Sequence, residues 1–194
     1  KKEFFKNKSY NVIYADFDDL PFKKKSFDLV ISNFCTNKVL EKKNFLKKIL
    51  DILTDDGLFL CNFFGEQTLR ELRQSFFIAD DRFLSGAFNR IPKVDLMADF
   101  SNLLAEVGYN EIVTEKVNFD IFYKSIIGIL KDIKNMGEKI PIIEKKEKIS
   151  KTYINFLNKI YIKEFANQNR QLKVTLDIIS ISSWKQLKNN STNQ

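Results

Sequence analysis

The sequence predicts an α/β fold built on a parallel sheet. Three observations predict it. Short apolar, β-branched runs alternate with longer stretches of helical periodicity. The first of those runs lack the in-out alternation of a half-exposed strand, as expected where helices cover both faces. Asp-, Gly- and Pro-containing turns separate the runs.

Asn11–Ala15 (NVIYA) reads as a buried strand that empties into the loop ADFDDLPF, with Asp16, Asp18 and Asp19 in the loop and Pro21 near its end. Phe27–Ser32 (FDLVIS) is a second strand. Val39–Leu53 is a helix whose stripe is Phe45, Leu46, Ile49, Leu50, Ile52 and Leu53. Thr54-Asp55-Asp56-Gly57 is expected to stop it in a turn, with the glycine able to take positive φ. Leu58–Phe64 is a third strand, and Glu66–Ala79 a helix with Leu69, Leu72, Phe76 and Phe77 inward.

A polar loop follows from Asp80 to Lys93. Val94–Val107 is helical, since Phe100, Leu103, Leu104 and Val107 recur at i, i+3, i+4 and i+7, and Gly108 is placed to cap it. Glu111–Val117 reads as a strand and Ile121–Asn135 as a helix ended by Met136-Gly137. Lys139–Lys148 is a charged connection, Ile149–Phe165 a further helix and Leu172–Ile181 the last strand. Residues 1–188 make one domain, with a helical insertion at about 120–165, and residues 189–194 a frayed polar tail.

Composition narrows the chemistry. With 194 residues and 44% hydrophobic content the chain can bury one sizeable core. It has no histidine, which removes Ser-His-Asp and Cys-His catalysis and the usual zinc ligand sets from these residues. Cys35 and Cys61 show no metal or redox spacing and read as free thiols in a reducing cytoplasm; no metal is expected. No apolar run approaches the roughly 18 residues of a membrane span. The net charge of +7 comes from scattered lysines, not a basic stripe with interleaved aromatics, so nucleic acid is not the expected partner.

Three segments stand in a telling order: ADFDDLPF after a strand, FDLVISN on the next, and LTDDGLFL entering a third. In that order they resemble the later motifs of class I S-adenosylmethionine-dependent methyltransferases. The likeness continues through Phe64-Gly65-Glu66-Gln67-Thr68-Leu69-Arg70-Glu71-Leu72-Arg73, Val107-Gly108-Tyr109, Asn135-Met136-Gly137-Glu138 and Trp184-Lys185. The subfamily it resembles includes the biotin-synthesis malonyl-acyl-carrier-protein methyltransferases and the mitochondrial complex I assembly methyltransferase-like proteins.

That resemblance implies a Rossmann-like sheet of order 3-2-1-4-5-7-6 with helices on both faces and S-adenosylmethionine as cofactor. NVIYA would be strand three, placing strands one and two and the glycine-rich cofactor turn upstream of Lys1; the six glycines here form no GxG. The chain alone is therefore expected to bind the cofactor poorly and to be inactive. The resemblance assigns Asp16, Phe17 and Asn33 to the cofactor: Asp16 as acceptor for the adenine amino group, Phe17 through its ring or backbone N–H, and Asn33 beside the methionine portion. Relatives often carry His-Trp soon after the strand bearing Asn33, where Asn37 and Lys38 stand here. Together with Arg73 and Arg90, which suit a carboxylate or phosphate, these make the expected substrate contacts. The catalytic group stays unassigned.

The acceptor is expected to be a small molecule, a carrier protein or a protein. A second reading is an assembly factor for respiratory complex I, including arginine hydroxylation, with complex I subunits as partners. A third is a nucleic-acid methyltransferase, although SNFC stands where such enzymes often carry an NPPY-like sequence. A cytoplasmic location and a homodimer complete the expectations.

Overall fold

A computed structural model describes residues 11–17, 19–84, 86, 88, 90–91, 94–136 and 150–186. The expected charged connection at Lys139–Lys148 and the tail at 189–194 lie outside the described residues, as does Asp18. The elements run β1 (Phe27–Asn33), a 3-10 turn (Thr36–Lys38), α1 (Lys42–Ile52), β2 (Leu53–Phe64), α2 (Arg70–Leu84), α3 (Met97–Val107), β3 (Tyr109–Tyr123), α4 (Ile126–Asn135), α5 (Lys151–Phe165) and β4 (Leu172–Lys185).

The four strands form one sheet in the order β1-β2-β4-β3. β1 and β2 are parallel, joined through α1; β4 runs antiparallel to both of its neighbours. This is the 4-5-7-6 run of the expected family order. Helix α1 forms where Phe45, Leu46, Ile49 and Ile52 fall on one side, and all four are buried. α3 ends at Gly108, whose φ of 109° needs glycine. Ser125 and Ser150 cap α4 and α5 by accepting the backbone N–H of Gly128 and Tyr153.

Several elements differ from the sequence reading. Asn11–Ala15 is not a strand, and Val12, Ile13 and Tyr14 are exposed. A strand needs a neighbour for its backbone hydrogen bonds, and among the described residues none lies beside this segment. Thr54-Asp55-Asp56-Gly57 is no free turn; it bulges within β2, because Phe27 pairs with Leu53 while Leu29 pairs with Leu58. Thr54 Oγ1 donates to Asp28 Oδ1 at 2.9 Å across the bulge. The left-handed φ there falls on Asp56, at 67°. Gly57 is required for space instead, since a Cβ would lie 2.9 Å from the Thr54 carbonyl oxygen.

α1 starts at Lys42, not Val39, because the chain first makes the 3-10 turn. α2 starts at Arg70 and continues to Leu84, so Asp80–Leu84 is helix rather than loop. Its buried residues Leu72, Phe76 and Ala79 lie at i, i+4 and i+7; Phe77, turned about 100° from Phe76, is exposed. α3 begins at Met97, β3 extends to Tyr123 and β4 to Lys185. Ile121–Tyr123 thus belongs to a strand, held to Leu172, Lys173 and Val174 of β4.

That extra strand length shapes the molecule. β2 ends at Phe64, opposite Ile178, but β4 continues back to Leu172 with β3 as its one strand partner among the described residues. A two-stranded ladder therefore projects past the carboxyl end of β2. One apolar cluster packs α1 and α3 against Phe59, Cys61, Phe63, Ile179 and Ile181. A second packs α2, α4 and α5 against Leu172 and Val174 on the projecting part. Side chains alternate along a strand, so the odd- and even-numbered residues of β4 serve opposite faces.

Candidate active site

The carboxyl ends of β1 and β2 meet a folded-over segment from each strand. After Asn33 the chain reverses through Phe34, held at φ 52°. The Phe34 N–H donates to the Asn62 carbonyl at 2.8 Å, and its ring lies 4.6 Å from that of Phe64. Asn62 Nδ2 donates to Asn33 Oδ1 at 3.3 Å. Two side-chain amides thus stand together at the ends of two adjacent parallel strands.

After Phe64, residues 65–69 run beside β4 and launch α2. The backbone N–H of Gly65 donates to the Asp177 carbonyl at 2.7 Å, and that of Leu69 to the Thr175 carbonyl at 2.9 Å. Asp177 is fully buried, and its Oδ2 accepts the Gln67 N–H at 3.0 Å and lies 3.2 Å from the Lys116 ammonium. Position 65 admits only glycine, because a Cβ would lie 2.5 Å from Asp177 Oδ2. Glu71, also buried, accepts from the Thr175 N–H at 3.0 Å and the Thr175 hydroxyl at 2.6 Å. Burial pushes the Glu71 carboxyl up, but the bonds from Thr175, its own backbone N–H and Arg70 outweigh that and hold its pKa below the ordinary value.

Between these segments and the projecting ladder lies a cavity of about 500 Å³. Asn37 closes it from the β1 side and Phe64 from the end of β2; Thr68 and Leu69 come from the segment before α2 and Arg73 from its first turn. Ile121, Tyr123, Val174 and Leu176 form its strand wall, while Ile129, Asp132 and Ile133 come from α4. Most of this surface is apolar, so the few polar groups decide what is recognised. Asn37 Oδ1 is buried and has no hydrogen-bond partner among the described residues, which leaves an acceptor in want of a donor. Arg73 donates from Nη1 to the Glu66 carbonyl and from Nη2 to the Thr68 carbonyl, each at 3.2 Å, and so braces the segment it faces. The Tyr123 hydroxyl bonds Asp132; burial first, then that carboxylate, raises its pKa.

The structure thus brings Asn37 and Arg73 to one cavity, with Asn33 at the adjacent strand end. Asp16 is exposed, its backbone carbonyl closing a tight turn with the Asp19 N–H at 3.1 Å. The Phe17 ring packs edge-on against Phe45, 5.7 Å between centroids, and belongs to the periphery of the first core. Lys38 is exposed and does not line the cavity.

Arg90, expected as a substrate contact, does not line this cavity and is engaged within the fold. Its Nε lies 2.6 Å from Asp80 Oδ2 and its Nη2 2.7 Å from Asp80 Oδ1. The guanidinium sits over the rings of Phe76, Phe88 and Tyr153 at 5.3 to 5.7 Å, and Tyr153 donates to the same carboxylate. Asp80 is a buried charge that needs this partner. Sequence reasoning missed Thr68, Tyr123 and Asp132. Thr68 lay within the motif already quoted; Tyr123 was read as helix although it ends β3, and Asp132 stood in no quoted motif.

Comparison with known proteins agrees with this architecture. The methyltransferase domain family model matches residues 1–61. A putative methyltransferase of Rickettsia prowazekii, RP459, is 31% identical over 154 residues, covering 74% of this chain and 67% of the relative. The mitochondrial arginine-hydroxylase NDUFAF5 of Danio rerio is 27% identical over 173 residues, covering 89% of this chain and 54% of the relative. The crystal structure of YcgJ from Bacillus subtilis superposes with a TM-score of 0.55 at 16% identity, covering 89% of this chain and 70% of that one. The sheet is the 4-5-7-6 half of a Rossmann-like methyltransferase fold. The chain belongs to the class I S-adenosylmethionine-dependent methyltransferase family. It spans about half the length of the NDUFAF5 relatives it matches.

Proposed function

We propose that the protein carrying this chain transfers a methyl group from S-adenosylmethionine to an acceptor seated in the cavity between α2, α4 and the β3–β4 ladder. The observation that carries the reading is the position of that cavity, at the carboxyl ends of two parallel strands, where ligands of open α/β sheets bind. The described residues fit part of a cofactor site. Asp16 offers an exposed carboxylate for the adenine amino group and Phe17 a backbone N–H beside it; Asn33, steadied by Asn62, stands at a strand end suited to the methionine portion. They include no glycine-rich turn.

When bound, the cofactor supplies a methyl group on sulfur that an acceptor lone pair displaces in line. The chain's own part is to hold the acceptor and exclude water. Apolar walls formed by Phe64, Ile121 and Val174 keep the cavity dry, and Asn37 Oδ1 accepts an N–H or O–H that orients the acceptor. Small molecules, acyl-carrier-protein substrates and protein side chains are the classes we consider, and we place the protein in the cytoplasm. The free thiols Cys35 and Cys61 support a reducing compartment; burial pushes Cys61 up to about 12, which keeps it an unreactive thiol.

A second reading, an assembly factor or hydroxylase acting on a complex I subunit, is favoured by one observation. Where the family resemblance implies a His-Trp pair at positions 37 and 38, Asn37 gives the cavity an amide acceptor in place of an imidazole. Asp132 lines the same cavity and adds a carboxylate, a pairing that suits a nitrogen-rich side chain.

The test is calorimetric titration of S-adenosylmethionine into the full-length protein and its Asp16→Ala variant. Saturable binding that weakens at least tenfold on substitution is expected. Absence of binding to the intact protein would overturn the methyl-transfer reading.

A further inference from the structure

We propose that the outer edge of β3 is an interface at which two copies of the protein pair antiparallel, about a twofold axis passing through Asn118. The inference stands apart from the methyl-transfer reading.

β3 is the terminal strand of the sheet among the described residues, and at 15 residues it is unusually long for one. Natural edges are commonly short, bulged or covered, because an open row of N–H and C=O groups invites another strand. From Val113 to Tyr123 this strand is regular, its only register irregularity lying between Asn110 and Val113. It also exposes apolar surface: Val113 is 59% exposed, Phe119 50% and Phe122 46%.

The hydrogen bonds of β4 reveal which groups of β3 face outward. Thr175 and Asp177 turn their backbones away from β3: their carbonyls accept from Leu69 and Gly65, and their N–H groups donate to Glu71 and the Thr68 hydroxyl. Their partners across the ladder, Asp120 and Asn118, therefore form pairs that exchange no backbone bonds, and direct their own N–H and C=O to the open edge. Alternation adds Lys116 to the outward set. A second strand must pair through these even-numbered residues.

Charge complementarity then selects the register. Centred on Asn118, the pairing sets Lys116 against Asp120 of the other copy twice, and Val117 against Phe119 twice. Centred on Lys116 or Asp120, it sets like charges face to face, which is unfavourable. In each copy Asp120 already carries Lys173 at 2.7 Å, and Lys116 carries Asp177 at 3.2 Å. Across the axis the charges consequently alternate in sign: Lys173, Asp120, then Lys116 and Asp177 of the second copy. The strand is complementary to itself.

The experiment is light scattering on the full-length protein, with Asn118→Pro beside it. The Asn118 N–H faces outward, so proline removes no bond within the chain. A dimer is expected for the natural protein, with the variant at half that mass and an unchanged circular dichroism spectrum. Asn118→Cys in a Cys35→Ser background supplies the second readout. Opposed residues at the axis lie about 5.5 Å apart between Cα atoms, within disulfide reach. Oxidation should link two chains through Cys at 118, whereas Thr114→Cys, off the axis, should give no such product. A monomeric natural protein overturns the proposal. So does a dimer that survives Asn118→Pro and gives no cross-link at position 118. Should Asn118→Pro fail to fold, the cross-link decides.

Discussion

Glu71 shows how one buried acid ties the site to acidity. It holds the Thr175 backbone and hydroxyl together and so fixes α2 to β4. Its folded pKa lies below the ordinary value of 4.5, so its stabilisation is complete above that pH and is lost as the pH falls through the folded value. Stability measured by urea unfolding should decline below about pH 4.5, and Glu71→Gln should lessen that decline while lowering stability at neutral pH. A decline identical in the variant would refute the assignment. None of this was legible in the sequence, where Glu71 looked like one more charge in GEQTLRELR. A buried acid is recognisable only once its donors are known, and Thr175, which gives two of the bonds, lies 104 residues away. The positions of Asn33 and Asn37, at and just after a strand end, were legible, because they follow from the run FDLVISN. Arg90 was not, since its partner Asp80 had been read as part of a polar loop.

Gly65 governs the turn from β2 into α2. A side chain there meets a buried carboxylate that is itself bonded and cannot retreat. Gly65→Ala should destabilise the protein by about 1–3 kcal/mol, as overpacked positions do, and should show as a lower thermal midpoint together with weaker acceptor-side binding. The sequence made α3 and its glycine cap plain, because helical spacing and a terminal glycine are both local signals. It misplaced the ends of β2, β3 and α2 for the opposite reason. Whether Ile121–Tyr123 continues a strand depends on Leu172–Val174 lying opposite, and whether TDDG bulges or turns depends on β1. The Asn11–Ala15 run is a strand by composition, but composition cannot supply a neighbour.

Across the whole molecule, the two apolar clusters divide the labour. One supports the parallel strands; the other supports the projecting ladder and its helices. Leu157→Ala, at a fully buried position in the second cluster, should cost about 2–5 kcal/mol. Hydrogen exchange should then accelerate in α5 and α2 while amides of α1 keep their protection. Uniform acceleration would mean the clusters unfold as one. The sequence pattern foresaw the α/β class and the family resemblance implied the 4-5-7-6 order, but neither held this division, which arises because β4 outruns β2.

The overhang of β3 and β4 beyond β2 has an evolutionary consequence. On the proposed reading, the acceptor walls come largely from the ladder tip and α4, whereas Asp16 and Asn33 belong to the parallel half. Substitutions or length changes between β3 and β4 can therefore remodel what is accepted without touching the donor side. Substrate preference is free to diverge among descendants of one fold, each change being tolerated before the other half has to answer it.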